Sequence, residues 1–553
     1  MLGGDGFICH FDISGGYCSV SLIFDNSDDW RSQAPIFFAL FLFLFLAYMP
    51  AVQGDYLYGE TYNLWTTKAG GKCDSFYAFK FYQRLGRPLL GWFICPSAFF
   101  IDSHQDANFV RFVGILFLAA MSYLFYLCLR YAAVKKIHAF LVALTLGTLP
   151  AYQLAVTSVV HQILLLAALI SGFSFMAALK VARTIGEDFS IREQWSDIVY
   201  NRFSIASFIL LMVSLLTYQQ SAMMYWALAA TILIRIDLHD WVVWRNRFLF
   251  LFGLGIFTMG IYFLYAIINS ELMSLNVGIN YDIKMFTSFS ERVNWFMDVL
   301  TGAMSLWDIN GNPLMVQFLL VLIILGAIVS LVQQSYIVTI NFVINQNLRP
   351  LVEKLLILAA LLPLSVFPAF VSGFEYTLIR LNIAIVVIVL VAAYWGVTKA
   401  CCLLPRKRRH ISVAVILGSV ALFGVYKAHY ASMNYISFPA GAETKFIKSA
   451  FRQNDLSKYD KLHVILLDSA QDSLIFEKDD QFVIHEFGFA MSWNSHNIHT
   501  MINFLLPDLS VVKRGWVKEI MKNNAFTAGH RNDERTIDEK TLLIDMTRIT
   551  HFY

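Results

Sequence analysis

The stretch Gln53–Pro88 reads QGDYLYGETYNLWTTKAGGKCDSFYAFKFYQRLGRP. It directly follows Ala34–Val52, an apolar run without a charged residue, which predicts a first membrane-spanning helix. Two carboxylates, Asp55 and Glu60, come soon after that span, and the stretch ends in a basic turn. The sequence therefore predicts a charged loop at a membrane surface, with the rest of the chain as the frame that holds it.

The composition indicates an α-helical polytopic membrane protein. The chain has 553 residues, of which 58% are hydrophobic and 15% are charged, against roughly 25% charged in soluble domains. The 7 cysteines do not form a disulfide framework. Cys73 and Cys95 both lie in the predicted first loop. The sequence does not distinguish a disulfide between them from two free thiols.

The charge-free runs predict about eleven spans, each near the length of a bilayer core. The run from 139 to 179 is long enough to cross twice, with a turn expected at Pro150-Ala151-Tyr152. The run from 203 to 234 is read as two short spans hinged at 217–221, with one long tilted helix as the rival. The remaining predicted spans are Ala34–Val52, Phe112–Leu129, Phe248–Ser270, Pro313–Val332, Leu355–Phe374, Leu381–Thr398 and Ile411–Tyr426. Pro88–Ile101 is short and contains a proline, so it predicts a helix lying in the interface.

The distribution of Lys and Arg predicts the topology. Alternate connections carry the basic residues, whereas the short turns at 150–158, 217–221 and 373–377 contain none. By the positive-inside rule the basic connections are cytoplasmic. The basic connections contain Arg130/Lys135/Lys136, Lys180/Arg183/Arg192/Arg202, Arg235/Arg245/Arg247, Arg349/Lys354 and Lys399/Arg406/Lys407/Arg408/Arg409.

Three regions follow from this topology. Residues 1–33 are expected to be a cytoplasmic tail, and 34–428 to be the transmembrane domain with an outer loop at 53–106. Residues 429–553 are expected to form a small outward-facing α/β domain. In that domain, 461–468 and 481–485 predict strands, and 500–506 and 513–522 predict helices.

The two loop acids have three possible roles. A carboxylate beside the membrane serves as a general base, as a metal ligand or as a solvated loop residue. Asp55 and Glu60 follow the first span closely, which makes a functional role as open as that of a solvated loop residue.

Arginines near the predicted outer surface form a second set. The guanidinium fork of Arg84 or Arg87 matches phosphate, although interfacial arginines also anchor to lipid headgroups. Arg380 lies at the outer end of a span beside a turn with no other base. Its partner is either Glu375, as a structural pair, or a substrate phosphate.

Polar groups within apolar runs are a third set. Tyr218 and Gln219 lie in an amide-rich break, where such groups contact a sugar or join helices. His161 is read as a core histidine. His496 and His499 lack a visible third ligand, so a zinc site is disfavoured. No nucleotide-binding motif occurs, so neither a soluble nucleotide donor nor a nucleic-acid partner is expected.

These features together resemble the GT-C membrane glycosyltransferases, and more specifically the serotype-converting O-antigen glucosyltransferases of phages and bacteria. The resemblance rests on the order of several short motifs. They are Gly54-Asp55, Leu85-Gly86-Arg87-Pro88-Leu89, Thr217-Tyr218-Gln219, the helix at Arg380, and His485-Glu486-Phe487-Gly488.

The resemblance implies a polyprenyl-phosphate sugar donor, with glucose as the expected sugar, and a lipid-linked glycan acceptor. It places the chain in the bacterial inner membrane with its active site facing the periplasm. Catalysis is assigned to Asp55 and Glu60. Substrate binding is assigned to Arg84, Arg87, Tyr218, Gln219, Glu375, Arg380 and Glu486. No cofactor is expected, although a divalent metal stays open.

Two other classes remain as alternatives. A transporter or flippase of lipid-linked sugars would share the spans and arginines, but it would place its charged site at mid-membrane. A structural assembly protein would leave Asp55 replaceable.

Overall fold

The computed structural model describes most of the helical part of the chain. The described residues are 30–54, 56, 82–83, 85–101, 103–186, 200–234, 241–274, 289–307, 313–341, 344–371, 382–466, 498, 501–502, 505, 509–523, 525–529 and 539–546. The first 29 residues of the predicted tail and the predicted strand at 481–485 lie outside them.

The first half of the described chain is mostly helical. Its helices are α1 (Trp30–Gln53), α2 (Pro88–Phe100), α3 (His104–Tyr131), α4 (Lys136–Gly147), α5 (Pro150–Thr157), α6 (Gln162–Ala182), α7 (Arg202–Thr217), α8 (Gln219–Ala222), α9 (Met224–Ile232) and α10 (Trp241–Ser274). The start of α3 is fixed by a capping box, in which Ser103 and Asp106 bond each other's backbone N–H groups.

Helices continue through the second half and into the C-terminal region. They are α11 (Phe289–Met304), α12 (Pro313–Asn341), α13 (Ile344–Leu364), α14 (Phe367–Val371), α15 (Ile385–Ala400), α16 (Arg406–Ala431) and α17 (Phe438–Gln453). A π-helix, Ser432–Ser437, joins α16 to α17. Gly326 and Gly396 let α12 and α15 pack backbone to backbone, since a Cβ on Gly326 would lie 2.8 Å from the Gly396 Cα.

Several of these helices can cross a bilayer. Among the described residues, 6 helices are long and apolar enough, or 7 if the bent pair α4 and α5 counts as one span. The chain is therefore a helical, multi-pass membrane protein. The predicted count of about eleven is not confirmed. One reason is that breaks shorten the predicted spans, so that α7 has 16 residues and α9 has 9.

The run from 139 to 179 differs from the prediction in one detail. Pro150 does not form the turn but occupies the first position of α5, where its missing N–H leaves no bond unmade. The helices α4 and α5 meet at an angle of 59°. Residues 158–161 then separate α5 from α6.

Described parts of four of the predicted basic connections meet at one end of the helix bundle, which we call the basic end. The Arg183 guanidinium lies 4.5 Å from the Tyr131 ring centre, and Arg247 donates to the Ile185 carbonyl at 3.2 Å. The His138 ring lies 6.3 Å from the His410 ring. Residues 131–138, 183–185, 247 and 410 therefore lie at the same end of the bundle, and their cytoplasmic placement stays a prediction.

The opposite end, which we call the loop end, carries the termini of the first loop and the C-terminal domain. Ile101, Ala107 and Val159 pack in one hydrophobic cluster with Ile447 and Phe451. The end of α1, the start of α3 and the α5–α6 break thus share an end with the domain that follows α17. That the loop and the domain face outward stays a prediction.

The C-terminal domain is built on a small parallel sheet. Its strands are β1 (Lys461–Ile465), β2 (Phe526–Gly529) and β3 (Thr541–Asp545), in the order β2-β1-β3. The helix α18 (Val511–Lys522) packs on the sheet through Val517 and Ile520. The start of the predicted strand at 461 and the predicted helix at 513–522 are confirmed, whereas β2 and β3 were not predicted.

Candidate functional site

The site is built around the turn at Gln83–Pro88, just before α2. Gly86 has φ of +73°, a left-handed conformation that favours glycine. A Cβ at this position would lie 2.5 Å from the Tyr262 hydroxyl oxygen, so the turn also needs the space that glycine leaves. Pro88 begins α2 and Arg87 is its N-cap residue. This geometry presents the Arg87 side chain at the loop end.

Arg87 is held by the break between α7 and α8. Its Nε donates to the Gln219 Oε1, and its Nη2 donates to the Gln220 Oε1 at 3.2 Å. The guanidinium carbon lies 4.3 Å from the centre of the Tyr218 ring, a cation–π contact. Tyr218 is extended, with φ of −157° and ψ of 108°, and this ends α7 so that both glutamines can reach Arg87.

The partners of Arg87 among the described residues are all neutral. Two amide oxygens occupy the Nε–Nη2 edge of the guanidinium, while Nη1 at its outer end makes no hydrogen bond with the described residues. No carboxylate in the described part of the chain pairs with Arg87. The arrangement therefore orients a full positive charge without neutralising it, which suits the binding of a phosphate oxygen.

A second layer of contacts fixes this turn from α10. The Gln219 Nε2 donates to the Leu85 carbonyl at 2.8 Å and to the Tyr262 hydroxyl. Tyr262 in turn donates to the Gly86 carbonyl at 3.0 Å. Two helical turns further on, Asn269 exchanges hydrogen bonds with Gln83, at 2.6 and 3.2 Å. The polar face of α10 therefore sets the position of the turn.

Helix α2, which follows this turn, has one buried and one exposed side. Leu90 and Ile94 are buried in the main hydrophobic cluster, whereas Trp92 is 66% and Phe100 is 76% exposed. Exposed aromatic side chains on a short helix beside the spans are typical of the lipid–water interface. A helix is thus present where the sequence predicts one, and its position in the interface stays a prediction.

A second arginine, Arg111, lies at the same end of the bundle near the start of α3. It is fully buried and donates to the carbonyls of Ala51 at 3.3 Å, Gly54 at 3.4 Å and Thr157 at 3.1 Å. It also donates to the Tyr56 carbonyl, and its guanidinium lies 3.8 Å from the Tyr56 ring centre. Burial raises the pKa of the Tyr56 phenol, and the nearby Arg111 charge lowers it in part.

Three of the predicted site residues come together in this structure: Arg87, Tyr218 and Gln219. The other predicted site residues, Asp55, Glu60, Arg84, Glu375, Arg380 and Glu486, lie outside the described residues, so their roles stay predictions. Sequence reasoning missed Tyr262, Asn269 and Arg111. Tyr262 and Asn269 could have been found from their spacing, because polar residues seven positions apart lie on the same face of a helix. Arg111 was missed because it lies just before the predicted span that begins at Phe112.

Of the three histidines considered in the sequence, one lies within the described residues and two lie outside them. His161 is a buried residue at the start of α6, as expected for a core histidine. His496 and His499 lie outside the described residues. Within the described part, no group of three or more His, Cys, Asp or Glu side chains is placed to hold a metal ion.

Comparisons with known proteins give a partial likeness among solved structures and none among sequences. The chain matches no protein-family model, and no curated protein sequence matches it. Among solved structures, it is similar to the oligosaccharyltransferase of Archaeoglobus fulgidus in its apo form, with a TM-score of 0.37 and 10% sequence identity. The match covers 78% of this chain and 62% of that enzyme. It assigns neither a family nor an activity.

Proposed function

We propose that this chain is a membrane glycosyltransferase. In this proposal it moves a sugar, expected to be glucose, from a polyprenyl-phosphate donor to a lipid-linked glycan such as O-antigen. The reaction takes place on the periplasmic side of the bacterial inner membrane. The chain crosses that membrane about eleven times, with its N-terminus inside and the C-terminal domain outside.

The observation that carries the proposal is the setting of Arg87. The guanidinium is held by two amides and an aromatic ring and keeps its charge. It also precedes an interfacial helix with exposed aromatics. A phosphate attached to a polyprenyl chain lies at this depth, because its tail is in the bilayer and its charge is at the surface. Arg87 therefore suits the phosphate of a lipid-borne donor.

The chemistry needs few groups. The acceptor hydroxyl oxygen attacks the anomeric carbon, and the bond from that carbon to the phosphate oxygen breaks. The electron pair of that bond stays on the phosphate, where Arg87 and the predicted Arg380 stabilise the added negative charge. The hydroxyl proton passes to a carboxylate, which we assign to Asp55. A phosphate leaves without a general acid, so one carboxylate is sufficient.

Replacement of the two loop acids tests the assignment of the base. Asp55→Asn keeps the shape of the side chain and removes the proton acceptor. We expect the transfer rate to fall by about 10²–10⁴-fold while the donor still binds, because general-base catalysis supplies about this factor. Glu60→Gln is the matched control and should lose less, since Glu60 lies further from the first span.

The measurement is transfer of labelled glucose from polyprenyl-phosphate glucose by purified variants, together with donor affinity. An inactive Glu60→Gln and an active Asp55→Asn would reverse the two roles. Full activity in both variants would contradict a catalytic role for this loop, whereas no transfer even by the unaltered protein would favour a transporter of lipid-linked sugars.

A further inference from the structure

Arg111 is a fully buried arginine in a candidate membrane span. It lies in the second turn of α3, a helix of 28 residues that is otherwise mostly apolar. Removing an arginine from water is costly unless its donors are satisfied and its charge has a use. What Arg111 contacts therefore indicates why it is there.

The described hydrogen bonds of Arg111 converge on the first residues of the outer loop. Nη1 donates to the carbonyls of Ala51 and Gly54, and Nη2 donates to the carbonyl of Tyr56. Gly54 and Tyr56 flank Asp55 in the sequence. One guanidinium thus binds the carbonyls of both residues that flank position 55.

Two further elements also form hydrogen bonds near position 55. The Tyr56 hydroxyl and the Arg111 Nε both donate to the carbonyl of Thr157, at the end of α5, at 3.4 and 3.1 Å. On the other side, Ser437 of the π-helix donates to the Pro50 carbonyl at 3.0 Å. Hydrogen bonds of Pro50, Ala51, Gly54 and Tyr56 therefore tie this part of the chain to α3, α5 and the π-helix.

Capping of α1 explains only part of this arrangement. The last carbonyls of a helix need donors, and a basic side chain can supply them. The Ala51 carbonyl belongs to α1, but the carbonyls of Gly54 and Tyr56 lie beyond its end at Gln53. An arginine that reaches past the helix to both neighbours of position 55 does more than end the helix.

We propose that Arg111 is a positioning residue for the predicted base. It fixes the backbone on both sides of Asp55 and keeps a positive charge close to that position. This inference rests on the proposed function, in which Asp55 takes the proton of the acceptor hydroxyl. Fixed geometry matters because a displacement of about 1 Å can cost about 10²-fold in rate. A nearby cation also favours the ionised carboxylate, which is the form that accepts a proton.

Two replacements separate the geometry from the charge. Arg111→Lys keeps the charge but loses the fork that reaches several carbonyls. We expect kcat to fall by about 10–100-fold, with the donor KM unchanged and the acid limb of the pH–rate profile in place. Arg111→Gln also removes the charge, so its acid limb should move to higher pH by about 1–3 units, because the carboxylate loses the cation that lowers its pKa.

A milder variant tests the same inference if the replacements of the buried Arg111 prevent folding. Asn108 accepts a hydrogen bond from Arg111 Nη1 at 2.6 Å and is only half-buried. Asn108→Ala should fold and lower kcat by about 5-fold, the equivalent of one hydrogen bond, without moving the pH profile. Arg183→Gln, at the basic end, is the matched control and should leave kcat, KM and the pH profile unchanged.

The experiment uses full-length protein in lipid nanodiscs, with polyprenyl-phosphate glucose as donor, and records thermal unfolding beside kinetics. Unchanged kcat in Asn108→Ala and in folded Arg111→Lys would overturn the inference. An acid limb that stays in place in folded Arg111→Gln would also overturn it, because a residue that only caps α1 would not set that limb. If the unmodified protein transfers no sugar at all, it is the proposed function that fails.

Discussion

The role of the Arg87 charge can be tested at Gln220, because replacing the amide of this residue with a carboxylate would neutralise that charge. Gln220 is buried and accepts a hydrogen bond from Arg87 Nη2 at 3.2 Å. Gln220→Glu has nearly the same shape but places a negative charge beside the guanidinium. The other described contacts of Arg87, with Gln219 and Tyr218, are left in place.

The size of the effect follows from Coulomb's law. At an effective dielectric constant of about 20, charges about 4 Å apart interact by about 4 kcal/mol, and charges about 8 Å apart by about 2 kcal/mol. A phosphate at the outer end of Arg87 would lie about 8 Å from the new carboxylate, so it would be repelled by about 2 kcal/mol. That energy corresponds to a donor KM or Kd about 30-fold weaker.

The matched control is Gln220→Met, which removes the same amide without adding a charge. We expect at most about a 5-fold change, because one net hydrogen bond contributes about 1 kcal/mol. The assay measures donor KM with polyprenyl-phosphate glucose, and thermal unfolding shows that both variants fold. Equal donor KM in the Glu and Met variants, or an unchanged KM in Gln220→Glu, would refute a phosphate-binding role for Arg87.

Two further predictions follow from the same account. Arg87→Lys and Arg380→Lys keep the positive charge but lose the forked guanidinium, so we expect each to lower the transfer rate by about 10-fold or more with normal folding. Wild-type transfer rates in both variants would show that these arginines only anchor the chain to lipid. Reporter fusions after residues 134, 240 and 404 should report the cytoplasm, and a fusion after 440 the outside; a fusion at 404 outside or at 440 inside would contradict the topology.

Local signals in the sequence predicted the parts of the site that are local in the chain. The turn before α2 was visible because glycine, arginine and proline are adjacent there. The break at Tyr218 was visible because two amides interrupt an apolar run. What the sequence did not reveal is that these two segments meet, since their contact joins residues 132 positions apart.

Features that depend on tertiary structure were missed for the same reason. Tyr262 and Asn269 read as ordinary residues of a span, and only the packing of α10 against the turn gives them a role. Strands β2 and β3 have 4 and 5 residues, and their parallel pairing to β1 crosses long stretches of chain. Short apolar runs of this kind do not stand out by periodicity.

The most direct test of the central claim is the mass of the surface glycan. Three otherwise identical bacterial strains would be compared: one without the gene, one with it, and one with the Asp55→Asn variant expressed at the same level. If the chain is a glycosyltransferase with Asp55 as its base, the repeat unit gains a hexose only in the strain that carries the unaltered gene. An identical glycan mass in all three strains, or a full gain of hexose with Asp55→Asn, would contradict the account.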